Sequence, residues 1–369
     1  MRKFDKDRLI LGFAGPALAL VVAFVLTSVV LLVSGLSPIE PYQLMAEQVE
    51  FTDVQVNILN QSGIYYLAAL AVAIGFRMNL FNIGVDGQYR LAVMLAAVVG
   101  ASVELPGPLH VALIVLVAML VGALWAGIAG ILKTTRGVSE VVSTIMLNAI
   151  ATSLIAWLIL PANLGVQPKG SNDLTTGEIA ESGWVPGLEL EGGTIYGFTF
   201  VAFALGLVYW FVLNRTRFGF DLRATGASES AAQASGVDAK KMVMTAMLIS
   251  GAVAGLAGMP MLLGQTHTYS LSFPVGVGFT AITIALLGRN SPIGIFFAAV
   301  LISFLEKTAE GLGLAGYPKE ISIIMQGLIV IAVVVSYELV RQYGLRRQQQ
   351  KVGEELAAQA RKNREEVAA

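Results

Sequence analysis

The chain has 369 residues, 56% of them hydrophobic and only 13% charged, with a formal net charge of −1. A soluble domain carries roughly 25% charged residues, so this balance excludes a soluble protein and points to a helical bundle that crosses a bilayer many times. There are no cysteines, which excludes disulfides, thiolate metal sites and cysteine nucleophiles, and the two histidines, His110 and His267, are too few for a histidine metal cluster.

The chain opens on MRKFDKDR and then runs apolar to Val33. That run is too long for the core of a signal peptide and no A-x-A-like site closes it, so it reads as a retained first membrane helix. Asking for about 20 apolar residues per crossing gives segments at 9–34, 54–76, 80–101, 108–132, 139–161, 195–213, 242–263, 275–288, 292–306 and 320–340. The expected fold is therefore all-α, a polytopic membrane bundle of about ten transmembrane segments. One membrane domain fills 1–340, and 341–369 is a charged, solvated tail.

Orientation follows from Lys and Arg, which gather on the cytoplasmic side of a membrane. Arg2, Lys3, Lys6, Arg8, Arg77, Lys133, Arg136, Arg215, Arg217, Arg223, Lys240, Lys241, Arg289 and the cluster beyond Arg341 all fall on one side. The opposite side holds only Lys169, Lys307 and Lys319 among many acidic residues. Both termini are thus expected in the cytoplasm. The longest outer segment, 162–194, exceeds the usual loop length and is either a connection or a docking place for an extracytoplasmic partner.

Several polar residues lie where the bilayer makes them costly. The third segment begins with Asn82, Gly84, Asp86, Gly87, Gln88 and Arg90. Asp86 and Arg90 are four apart and can pair on one helix face; the other reading makes this interrupted stretch part of a gate. A second interrupted region at 274–294 occupies a similar place in the second half. Asn57, Asn60 and Gln61 on the second segment, and Glu140, Ser143, Thr144 and Asn148 on the fifth, recur at helical spacing. Each set either staples helices together or lines a cavity, and a cavity of amides and hydroxyls suits a neutral, hydroxyl- and amide-bearing solute. Gln265, Thr266, His267 and Tyr269 close the seventh segment at its outer end.

Between Asn214 and Gly258 a basic, Ala-rich polar segment separates two apolar runs. Within 215–241, Ser228 can cap a short helix over 228–235, Gly226 and Gly236 bracket it, and Asp238 can cap the helix that follows. This stretch is either an ordered loop or a cytoplasmic element on which another protein pushes. The chain has no G-x-x-x-x-G-K-[ST], so any ATP that drives it is hydrolysed on another polypeptide.

Four motifs in order, FNIGVDGQ, GVSEVVSTIMLN, FGFDLRATGASESAAQASGVDAKK with its LISGAVAGLAG continuation, and GFTAITIALLGRNSPIG, resemble permease subunits of bacterial ABC importers. The similarity, over roughly 10–340, is to the branch for ribose, branched-chain amino acids and nucleosides, and within it to nucleoside or simple-sugar permeases. The resemblance implies a non-enzymatic subunit in the bacterial cytoplasmic membrane, surrounded by lipid, that translocates a nucleoside by alternating access. It implies a second permease subunit of different sequence, a cytoplasmic ABC ATPase carrying the ATP-Mg, and an extracytoplasmic substrate-binding lipoprotein. It implies no cofactor on this chain and no nucleic acid partner. Gly226, Glu229, Ala231, Ala232, Ser235 and Gly236 match the family's ATPase-coupling pattern. Candidate pathway or gate residues are Asn57, Asn60, Gln61, Asn82, Asp86, Gln88, Arg90, Ser143 and Asn148. No catalytic or metal-binding residue is expected. A simple sugar is the alternative substrate. An ion-coupled secondary transporter, with Asp86 or Glu140 as its carboxylate, is the alternative mechanism.

Overall fold

The computed structural model describes residues 6–318 throughout and part of 320–353. The chain divides into two units, Ala46–Thr308 and Met1–Met45 with Ala309–Ala369. Elements in order are α1 (Lys6–Val33), α2 (Glu40–Val49), α3 (Thr52–Phe76), α4 (Val85–Ser102), α5 (Gly107–Arg136), α6 (Glu140–Leu158), β1 (Leu188–Leu190), β2 (Gly193–Ile195), α7 (Gly197–Arg215), α8 (Arg217–Ala227), α9 (Glu229–Ala234), α10 (Ala239–Gly255), α11 (Met259–Met261), α12 (Val277–Leu287) and α13 (Pro292–Leu314).

In the larger unit α3 is the central pillar, buried continuously from Ser62 to Gly75. Its run of Ala68, Ala69, Ala71 and Ala73 keeps the helix thin, so α10, α12 and α7 close in around it. The tightest seam joins α5 to α10. A Cβ on Gly122 would lie 2.2 Å from the Gly251 carbonyl oxygen, and one on Gly255 would lie 2.2 Å from that of Ala118. Small residues four apart on both helices let the backbones touch, which is how helices associate where lipid removes the hydrophobic driving force. Gly137 then stops α5 in a left-handed turn, φ 68°, with its N–H on the Lys133 carbonyl.

The seventh expected segment is broken. After α10 the chain passes through the short α11, where Pro260 withholds a backbone donor, into a π-turn over Leu262–Thr266 that ends on His267 at φ 53°. The carbonyls freed there are taken by the 162–194 stretch: the Ile179 and Val185 amides donate to the His267 and Leu263 oxygens, each at 2.9 Å. That stretch also holds the antiparallel hairpin of β1 and β2, in register Glu189↔Thr194, so the expected all-α bundle carries a small β element. In the smaller unit the Phe24 and Tyr42 rings meet at 5.2 Å, and the Tyr317 hydroxyl donates to Glu40 at 2.8 Å.

Seven helices among the described residues are long and apolar enough to cross a membrane: 52–76, 107–136, 140–158, 197–215, 239–266, 292–313 and 323–344. The other three expected segments fall on Val21–Val33 of α1, on α4 and on α12, which are shorter or more polar. The ninth segment was expected to end at 306, where Glu306 and Lys307 interrupt the apolar run; the helix continues to Leu314. Of the 341–369 tail, only scattered positions up to 353 lie within the described residues.

Candidate functional site

The turn between α3 and α4 is held by amide side chains. Asn82 and Gln88 exchange two hydrogen bonds, at 2.9 and 2.8 Å, and Asn82 also donates to the Ser250 hydroxyl at 2.8 Å and accepts from the Gly84 N–H at 3.1 Å. Ser250 in turn donates to the Ala71 carbonyl at 2.7 Å. Both amides are buried and the amide of Asn82 has no capacity left. They staple α3, α4 and α10 to one another.

Asn148 of α6 reaches the same corner, accepting from the Gly87 N–H and donating to the Ile83 carbonyl, both at 2.9 Å. It therefore caps α4 from a neighbouring helix. The Asp86 carboxylate accepts from the Gly276 and Gly278 amides at 2.8 and 3.5 Å. It sits at the N-terminus of α12, where free N–H groups and the helix dipole favour an anion. The expected Asp86–Arg90 ion pair is therefore not formed. Arg90 turns to the Thr152 hydroxyl at 3.4 Å and keeps its Nε without a partner.

On α3, Asn60 is a staple. It donates to the Thr194 carbonyl and accepts from the Tyr196 N–H, each at 2.9 Å. Asn57 and Gln61 lie on a different face, Asn57 exposed and Gln61 half-buried. On α6 the Ser143 hydroxyl bonds its own helix at the Ser139 carbonyl, 2.8 Å away. Glu140 is pinned by the Lys133 ammonium at 2.5 Å and by the Phe81 amide at 3.4 Å. The structure thus gathers Asn82, Asp86, Gln88 and Asn148 around one corner and leaves Asn57, Asn60 and Gln61 apart from it.

Two residues that the sequence reading passed over stand below Gln61. The Tyr65 hydroxyl donates to the Glu306 carboxylate of α13, and Gln61 and Thr280 lie beside the same phenol. A charged side chain at the centre of a span costs about 2.5–3.5 kcal/mol by insertion scales, and that cost was the available signal for Glu306. Its position beside Lys307 made it look like the end of a helix.

In the 217–241 segment, Ser228 caps α9, its hydroxyl accepting from the Ala231 N–H at 3.3 Å, and Asp238 caps α10 through the Lys241 N–H at 3.1 Å. The Lys241 amide, aided by its ammonium, holds the exposed Asp238 carboxyl below its usual range. Gly236 ends α9 at φ 85°. Glu229, Ala231, Ser235 and Gly236 are exposed, whereas Ala232 is buried beneath α9. Gly226 does not open α9, as the bracketing glycines suggested. It lies inside α8, and a Cβ there would meet the Arg77 carbonyl oxygen at 2.4 Å. From that corner the Arg77 guanidinium donates to the Asn290 carbonyl at 2.7 Å, an oxygen that also accepts from Tyr209 at 3.1 Å. An unbroken path of contacts thus leads from α9 through α8 to the α3–α4 corner and the turn before α13.

The 162–194 stretch is fastened as firmly. Trp184 stacks on His267 with ring centroids 3.8 Å apart, and His110 bridges Ser182 and the Gly100 carbonyl at 2.8 and 2.9 Å. Burial holds the His267 imidazole below its usual range, with Glu178 opposing. Among the described residues no group of three His, Asp or Glu side chains could hold a metal ion.

Helices long enough to cross a bilayer, several of them in one bundle, define a multi-pass membrane protein. Residues 54–334 match the family of permease components of branched-chain amino acid transport systems, and the chain belongs to that family. It is similar to the guanosine ABC transporter permease NupP of Bacillus subtilis, 36% identical over 88% of this chain and 93% of that one. The nucleoside ABC transporter permease NupB of Lactococcus lactis is 30% identical over 87% and 90%. The glucose ABC transporter permease TsgB13 of Haloferax volcanii is 28% identical over 88% of each. Such relatives are permease subunits and not enzymes; ATP hydrolysis belongs to a separate chain.

Proposed function

We propose that the protein is a permease subunit of an ATP-driven importer that moves nucleosides across the bacterial cytoplasmic membrane by alternating access. The observation that carries this reading is similarity to guanosine and nucleoside permeases over nearly the whole chain. In this reading all ten helical segments cross the membrane with both termini in the cytoplasm, as the distribution of Lys and Arg suggests. A cytoplasmic ATPase, which binds ATP-Mg, presses on α9 at Glu229, Ala231, Ser235 and Gly236, with Ala232 and Gly226 seating the α8–α9 unit. The push passes from Gly226 to Arg77 and Met78, and so to the α3–α4 corner. There Asn82, Asp86, Gln88, Arg90, Ser143 and Asn148 frame a gate, while Asn57 and Gln61 line the way in and Asn60 fastens α3 beside them. A second, different permease chain completes the pathway, and an extracytoplasmic lipoprotein delivers substrate to the face formed by 162–194.

The glucose relative supports a simple sugar as the second reading. Uptake of radiolabelled guanosine, uridine and ribose, with and without this gene, separates the two. Each is measured with the proton gradient intact and collapsed while ATP is held up. Gene-dependent nucleoside uptake that survives the collapse supports the proposal. Ribose-only uptake moves the substrate to sugars, and uptake that vanishes with the gradient contradicts the ATP-driven mechanism.

A further inference from the structure

Asn57, Gln61 and Tyr65 stand one turn apart on α3, a polar stripe of about 12 Å. Asn57 is exposed, Gln61 half-buried and Tyr65 only 4% exposed, so burial deepens along the stripe. At the buried end the Tyr65 hydroxyl meets Glu306, which is half-buried where the apolar run of α13 gives way to Lys307 and Glu310. One turn before it on α13, Ser303 is fully buried with its hydroxyl unpartnered. Thr280 of α12 adds a further hydroxyl beside the phenol.

A carboxylate inside a bundle of spans faces water or protein, not lipid. Asp86 and Glu140 are held by backbone amides and by Lys133 and so have structural work. Glu306 differs, because among the described residues its hydrogen-bond partner across the bundle is the Tyr65 phenol. A carboxylate offers only acceptors, on two adjacent oxygens, and vicinal hydroxyls offer two donors side by side. We propose that Glu306, with Tyr65, Gln61 and Ser303, forms a diol-binding station on the transport path, where the carboxylate accepts the 2′- and 3′-hydroxyls of a ribose ring. The inference rests on the permease reading above and names the part of the substrate that this chain recognises. The same diol chemistry occurs in free sugars and in nucleosides, so the two sources are tested separately.

The experiment uses cells that express the complete transporter, with this chain wild type, Glu306→Gln, Glu306→Asp or Gln61→Leu, at matched membrane levels. Initial uptake is measured for uridine, 2′,3′-dideoxyuridine and ribose. The binding protein is the same in every strain, so a changed substrate ratio reports on this chain. Loss of a charged hydrogen bond predicts roughly a tenfold or larger fall in the uridine to dideoxyuridine ratio for Glu306→Gln. Glu306→Asp should retain much of the ratio, and Gln61→Leu should lower it by less than Glu306→Gln does. Equal loss for uridine and dideoxyuridine, or an unchanged ratio, overturns the station. If Glu306→Gln fails to reach the membrane, Gln61→Leu carries the test, and an unaltered ratio in it counts against the proposal. Wild-type uptake of ribose without uridine would place the diol on a free sugar and overturn the nucleoside assignment, while an effect of Glu306→Gln on ribose uptake would keep the station. Wild-type cells that take up neither would remove the permease reading itself.

Discussion

Asn82 shows how a costly residue becomes a structural one. Its side chain makes four hydrogen bonds, one of them to Ser250, 168 positions away in the chain. Asn82→Leu would leave the Gln88 amide and the Ser250 hydroxyl short of partners in a dry interior. Interhelical bonds in membranes are worth less than their gross strength suggests, because the unfolded chain in lipid also finds partners. A loss of about 1–3 kcal/mol is expected, and denaturant unfolding of the detergent-solubilised protein measures it. His267 gives a pH-dependent case. Burial keeps its folded pKa below the ordinary value of 6.5, so its stabilisation is complete above that value and is lost as pH falls through the folded one. Hydrogen-exchange protection factors in the 176–185 stretch, which remove the intrinsic pH dependence of exchange, should therefore fall as pH drops below 6.5. His267→Phe, which cannot titrate, should flatten that dependence.

Among the elements, seven helices were legible in the sequence because each is a run of apolar residues of bilayer length. The capped α9 was legible too, because Ser228, Gly236 and Asp238 are local signals. Partners across the fold were not. The spacing of Asp86 and Arg90 suggested a pair, but the amides of Gly276 and Gly278 lie about 190 positions downstream, and no local pattern announces them. Glu306 was hidden for the converse reason, since a charge at the edge of an apolar run looks like a boundary. At this scale Gly226 carries the sharpest expectation. A Cβ there would stand 2.4 Å from the Arg77 carbonyl oxygen, so Gly226→Ala must lift α8 off the α3–α4 corner. The expected result is ATPase activity that persists while transport falls severalfold, with the complex still assembled on co-purification. Full transport in this variant, or in Glu229→Ala, would remove the coupling role. At the α5–α10 seam, Gly122→Leu forces apart backbones already in contact and is expected to abolish folding rather than uncouple it, as seen by loss of monodisperse protein in detergent.

For the whole molecule, the relatives and the geometry converge on one division of labour. The interior corner is pinned by amides and backbone caps, the exposed α9 is the proposed place for the ATPase to press, and the stripe from Asn57 to Glu306 is the proposed diol station. The chain itself has no P-loop, and in the proposed reading the energy of ATP arrives through the surface segment. The most direct test is transport in proteoliposomes that contain this chain with its ATPase and partner permease. ATP is enclosed on the ATPase side and the binding protein with radiolabelled guanosine is supplied on the other. Guanosine accumulation that requires ATP, and that a protonophore leaves unchanged, is the expected result. Accumulation that needs an ion gradient and proceeds without ATP would contradict the account.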